Sequence, residues 1–193
     1  MRPRWQQRLP NDLTNLRMVL AVALLVVFEI GSLTDRTTLV WALALFLVAA
    51  LSDLLDGHLA RRWNVISKYG RIMDSFADKA LMVVSFTALC LEPGASGMAP
   101  WMTVTIVVRE MLVTSIRGTY ESEGVDFSAT KVGKWKFTLQ AVAVPWILAT
   151  LAIDPDHRPL FWSRVAMAWT TTAVTVVSAM PYILKAWRHE RTT

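Results

Sequence analysis

LSDLLDGHLARRWNVISKYGRIMDSFADKAL, residues 51–81, carries four aspartates in two pairs, with Asp53 and Asp56 three apart and Asp74 and Asp78 four apart. On helices each pair projects from a single face, and a short turn around residues 63–68 sets the two helices antiparallel, so the carboxylates meet at one depth. Two stripes reinforce this reading. Asp53, Gly57, Ala60 and Arg61 follow i, i+4, i+7 and i+8, and Gly70, Asp74 and Asp78 form a matching line on the next helix. Glycine inside a helix costs about 1 kcal/mol relative to alanine, so Gly57 and Gly70 imply close approach by a ligand or another helix.

Outward from this stretch the chain is apolar. Of its 193 residues 54% are hydrophobic and 18% charged, with a mean hydropathy of +0.39. That excludes disorder and exceeds what a soluble core needs, so the surplus faces lipid. Six apolar stretches, 13–30, 39–51, 81–91, 99–108, 137–153 and 160–184, are candidates to cross the membrane. The short ones, 39–51, 81–91 and 99–108, each continue into a helix-compatible charged stretch and read as spans with polar extensions. The expected fold is all-α: a polytopic membrane protein with six transmembrane helices, forming a single domain over residues 1–193. The start, MRPRWQQRLPNDL, is basic and amphipathic without a cleavage site, so residues 1–12 read as a short N-terminal interfacial segment.

Charge sets the expected orientation. The turn-rich connectors 31–38, 92–100 and 154–159 fall on one side, and with a cytoplasmic N-terminus only Arg36, Arg158 and Arg164 of the twenty Lys and Arg lie toward the outer face. The positive-inside rule then puts both termini and the aspartates on the cytoplasmic side of an inner (cytoplasmic) membrane. Cys90 is the single cysteine, which excludes an internal disulfide and a cysteine-based zinc cluster. Trp41, Trp101, Trp162 and Trp187 suit an aromatic belt better than a platform for bases, so no nucleic acid partner is expected despite a pI of 9.7.

Four clustered carboxylates repel one another and need cations between them. Hard oxygen donors select Mg²⁺, Mn²⁺ or Ca²⁺, and acids paired from two helices suit a two-metal clamp. The plainer alternative pairs the aspartates with Arg61, Arg62, Lys68, Arg71 and Lys79 at a solvated helix end. A divalent-cation carrier is a third reading, although carrier sites lie near the midplane between repeated halves, and no repeat is visible here.

The segment matches D-x-x-D-G-x-x-A-R-x8-G-x3-D-x3-D at Asp53, Asp56, Gly57, Ala60, Arg61, Gly70, Asp74 and Asp78. In this it resembles the CDP-alcohol phosphotransferases. The resemblance implies an enzyme in which an alcohol hydroxyl attacks the lipid-linked phosphorus of a CDP-activated lipid and CMP leaves. It also implies that Asp53, Asp56, Asp74 and Asp78 hold two divalent cations, Mg²⁺ or Mn²⁺, with Asp78 accepting the hydroxyl proton as the catalytic base. Gly57, Ala60, Arg61 and Ser67 would line the CDP-lipid pocket, and a homodimer is the implied assembly.

The acceptor is narrowed by other cations. Arg17 and Arg109 have strongly apolar flanks, LRMVL and VVRE, and each needs an anionic partner. Glu110, about 100° round the helix from Arg109, is not its obvious mate. A phosphate on the acceptor would serve. LPNDLTNLR near the N-terminus, REMLVTSIR at 109–117 and SATKVGKWKFTLQ at 128–140 are similar to stretches of the phosphatidylglycerophosphate synthases. By that resemblance the substrates are CDP-diacylglycerol and sn-glycerol 3-phosphate, and Arg17, Arg109, Arg117 and Lys134 grip the acceptor phosphate. Lys131 and Lys136 read instead as positive-inside charges or contacts to membrane lipids. Ser75 after Asp74 and Gly118 after Arg117 depart from the pattern, which keeps another acceptor such as an inositol phosphate open.

Overall fold

The structure is a computed structural model that describes residues 4–63, 68–125 and 131–191; within them, the side chains of 4–10, 56–61, 68, 69, 71, 131, 132 and 134 are not described. Its described residues form helices α1 (Arg4–Ile30), α2 (Arg36–Trp63), α3 (Lys68–Leu91), the short α4 (Pro93–Ser96), α5 (Pro100–Ser122), α6 (Lys131–Ile153), α7 (Arg158–Val177) and α8 (Met180–Glu190). No strand occurs among them. Local chemistry sets the boundaries. Asp35 starts α2 by accepting hydrogen bonds from Thr38 Oγ1 at 2.7 Å, Thr38 N at 2.9 Å and Thr37 N at 3.2 Å. Led by the Thr38 hydroxyl, these bonds hold its carboxyl below the ordinary aspartate range. Prolines open α4, α5 and α7 in their first turns, where a missing N–H costs nothing. Gly97 closes α4 with φ at 76°, and a Cβ there would lie 2.9 Å from the Val165 backbone, so only glycine lets α7 come so close.

α1 packs against α2 and α3, α2 against α6, α6 against α7, and α5 against α7, α3 and α8. The main core includes Leu24 on α1, Phe46 on α2, Phe86 and Leu89 on α3, Ile106 on α5, Ile147 on α6 and Ala168 on α7. Outside it, Val19, Val22, Leu25, Val26, Leu47, Val48, Val104, Val108 and Val177 are exposed. Apolar residues on both faces of the same helices mark a bundle whose outer solvent is hydrocarbon. Four described helical paths are long and apolar enough to cross a membrane: Asn11–Ile30, Arg36–Leu55, Trp135–Ile153 and Arg158–Glu190. The protein is an integral membrane protein.

α3 and α5, expected as further spans, are 24 and 23 residues long, but their charges dilute the apolar stretches. Residues 4–10 belong to the same continuous helix as the first candidate span. The last apolar stretch divides at Ser178–Ala179, just before Pro181, into α7 and α8. There Tyr182 N turns to Ala179 O at 3.0 Å, and the Ser178 carbonyl accepts a bond from Arg109 instead.

Candidate active site

Three of the four aspartates come together as their spacing implied. One carboxylate oxygen each from Asp53 on α2 and Asp74 and Asp78 on α3 lie within 4.8 Å of one another, in a half-buried cluster. Asp56 follows Asp53 on α2 with its side chain outside the described set. Into this cluster α1 inserts Arg17, which has no exposed surface. Arg17 Nη2 meets Asp53 Oδ1 at 2.9 Å, while Nη1 meets Asp74 Oδ1 at 2.8 Å and Asp78 Oδ1 at 2.5 Å. The anionic partner that Arg17 required is thus the aspartate group itself. Hard oxygen donors from two helices, held close and already drawing in a cation, fit a divalent metal.

Beyond Asp78 the site turns basic. A cavity of about 420 Å³, within the size range of ligand sites, is lined by Lys79, Arg109, Glu110, Thr114, Arg117 and Lys136 among others. Glu110 accepts from Lys136 Nζ at 2.5 Å and from Arg109 Nη1 at 3.2 Å. This corrects the expectation that Glu110 is no mate for Arg109: both side chains are long enough to bend across the 100° between them, and Lys136 of α6 draws the carboxylate inward. Arg109 Nη2 also donates to Ser178 O at 3.1 Å, which ties the cavity wall to the α7–α8 break. Arg117 is partly exposed at the rim, paired to Glu121 Oε1 at 2.9 Å one turn on.

Lys136, read from sequence as a positive-inside charge, is only 6% exposed. A signal was present: Lys136, Gln140, Ala143, Val144 and Ile147 form one helical stripe, and all are buried. Lys79 was also missed as a lining residue; its Nζ donates to Ser75 O at 3.0 Å and Ser75 Oγ at 2.6 Å. That second contact uses the hydroxyl of Ser75, the residue after Asp74 that departs from the family pattern. Asp78, Lys79, Glu110 and Lys136 share one smaller cavity, so the acidic and basic regions form one continuous cleft. Arg17, Asp53 and Asp78 also border an apolar crevice walled by Phe46, Ala49 and Ala50 of α2, Leu81 and Met82 of α3 and Ala141 of α6. Gly57, Ala60, Arg61, Ser67 and Lys134, expected to bind the CDP-lipid and the acceptor, lie outside the described residues or have side chains outside them.

Comparison with known proteins bears directly on this arrangement. The family model for CDP-alcohol phosphatidyltransferase matches residues 7–177. The chain belongs to the CDP-alcohol phosphatidyltransferase family. Among curated relatives it is 40% identical over 168 residues to a CDP-diacylglycerol–glycerol-3-phosphate 3-phosphatidyltransferase of Cereibacter sphaeroides, covering 83% of this chain and 73% of the relative. It is 31% identical over 195 residues to the protein of that name in Bacillus subtilis, covering 96% and 98%. A third of the same name, from Salmonella choleraesuis, is 31% identical over 186 residues, covering 94% and 96%. In this CDP-alcohol phosphatidyltransferase the matched region runs from α1 to the end of α7 and so contains the Arg17–aspartate cluster, the apolar crevice and the charged wall of the basic cavity, to which α8 adds Tyr182.

Proposed function

We propose that the chain transfers the phosphatidyl group of CDP-diacylglycerol to sn-glycerol 3-phosphate, giving phosphatidylglycerophosphate and CMP in phospholipid biosynthesis. The observation that carries this reading is the continuity of the cleft, which sets an acidic cluster suited to metals beside a cavity lined by Lys79, Arg109, Arg117 and Lys136. The names of the relatives support the same substrates. The apolar crevice beside Asp53 and Asp78 suits the lipid part of the donor.

Asp53, Asp56, Asp74 and Asp78 would hold two divalent cations, Mg²⁺ or Mn²⁺. Bound there, the ions supply charge neutralisation for the donor's diphosphate and for the departing CMP. Asp78 has a second role, as the base that takes the proton from the acceptor hydroxyl while its oxygen bonds to the lipid-linked phosphorus and the phosphorus–oxygen bond to CMP breaks. Gly57, Ala60, Arg61 and Ser67 line the donor's nucleotide pocket. Arg109, Arg117 and Lys134 grip the acceptor phosphate through charge-assisted bonds, with Lys79 and Lys136 adding to the field. Arg17, which the resemblance grouped with them, is held by the aspartates.

Six helices, with α3 and α5 as the charged members, cross an inner membrane as a single domain with both termini and the cleft facing the cytoplasm. The basic first residues rest on anionic lipid, and the working unit is a homodimer. The decisive experiment incubates purified protein and Mg²⁺ with CDP-diacylglycerol and, separately, glycerol 3-phosphate, an inositol phosphate, glycerol and serine, then identifies the lipid formed. Phosphatidylglycerophosphate with stoichiometric CMP is expected, and EDTA should stop the reaction. Product from another alcohol alone would overturn the acceptor, and turnover in demetallated protein would overturn the metals.

A further inference from the structure

Arg17 has no assigned step in the transfer, yet it is among the most completely buried large side chains of the molecule. It belongs to α1, while the three carboxylates it reaches belong to α2 and α3. We propose that Arg17 is a tethered counter-cation: it gathers Asp53, Asp74 and Asp78 before divalent ions bind, and it competes with those ions for the same oxygens. The inference rests on the metal-dependent reading above.

Its support is geometric. Arg17 Nη1 lies between Asp74 Oδ1 and Asp78 Oδ1, in hydrogen-bond contact with both. Asp74 and Asp78 are also residues that would hold a divalent ion, and such an ion would compete for the space that this nitrogen fills. Both cations cannot occupy it, so metal loading requires Arg17 to give up at least one of these contacts. Among the described side chains, two neighbouring cations are turned elsewhere: Lys79 to Ser75 O and Oγ, and Lys136 to Glu110. The planar fork also explains why this position suits arginine. Two nitrogens at fixed angles serve three carboxylates from two helices, which a single ammonium does less well. Mutual repulsion among the aspartates, otherwise a force parting α2 from α3, becomes attraction to α1. Once displaced, the guanidinium still sits beside the cleft and needs a new anion, for which a substrate phosphate oxygen is the fitting replacement.

The test measures Mn²⁺ binding by electron paramagnetic resonance, and thermal unfolding with and without Mn²⁺, for the full wild-type chain, Arg17→Gln and Arg17→Lys. Removing the competitor should lower the Mn²⁺ Kd of Arg17→Gln about tenfold or more. Metal-free Arg17→Gln should melt below wild type, and saturating Mn²⁺ should close most of that gap. Arg17→Lys, which keeps the charge and loses the fork, should bind Mn²⁺ with an intermediate Kd. It decides the matter alone if the glutamine variant does not fold, because a Kd equal to or weaker than wild type overturns the proposal. An unchanged or weaker Kd in Arg17→Gln overturns it as well, as does a melting gap that Mn²⁺ leaves intact, since either result makes Arg17 a purely structural residue. Absence of Mn²⁺ binding in all three proteins overturns the metal reading and this inference together.

Discussion

The two halves of the cleft mirror each other in charge. At the aspartate cluster one buried cation, Arg17, meets three anions, whereas in the neighbouring cavity one anion, Glu110, meets two cations, Arg109 and Lys136. Among the described side chains, each half therefore holds a buried opposite charge as internal glue and retains a surplus of its own sign. Surplus negative charge suits divalent ions, and surplus positive charge suits a phosphate. The lesson is that a membrane protein can bury a charged site before its ligands arrive, provided each like-charged group has one tethered counter-ion.

The strongest way to break this comparison is at Asp78, which lies where the halves meet. Asp78→Asn should lower the kcat for CMP release by about 10³-fold or more while leaving circular dichroism unchanged, because Arg17 still holds Asp53 and Asp74; near-normal turnover would remove the base assignment. Next in size is the glue of the basic half. Glu110→Gln leaves Lys136 buried beside a neutral amide and should cost about 3 kcal/mol in denaturant unfolding, with the double variant Glu110→Gln/Lys136→Met recovering part of the loss. If the single variant is as stable as wild type, Glu110 is not a counter-ion.

Smaller effects sharpen the comparison within the basic half. Arg109→Ala should raise the KM for glycerol 3-phosphate about 30-fold with a much smaller change in kcat, corresponding to about 2 kcal/mol for a charge-assisted contact. Arg117→Ala should raise it only about fivefold, because Arg117 is partly exposed and shares its charge with Glu121 in a solvent-screened pair. Steady-state kinetics on both variants settles the order. A larger effect at Arg117 would move the phosphate from the buried wall to the rim.

The aspartate cluster was legible because its members repeat at helical spacing within one short window. Periodicity alone put Asp74 and Asp78 on one face, and the expected antiparallel return of the chain after α2 implied that Asp53 meets them. The fold class was equally plain in the apolar excess. Lys136 could have been read from its place on the buried stripe of α6, but a lysine near a helix start also fits the charge bias of a membrane loop, and that competing account prevailed. Glu110 was misjudged because angles around a helix describe Cα positions, whereas long side chains reach across them.

By itself the amino-acid sequence determined that this chain is a helical membrane protein with a metal-suited acidic motif, since hydropathy and helical spacing are properties of neighbouring residues. Tertiary structure alone decided that Arg17 belongs to the aspartates, 36 to 61 positions away along the chain, and that Glu110 joins Arg109 to Lys136 across two helices. Which ions become neighbours depends on how α1 lies against α2 and α3 and how α5 meets α6. Long-range electrostatic partnership follows that packing, and no local pattern encodes it.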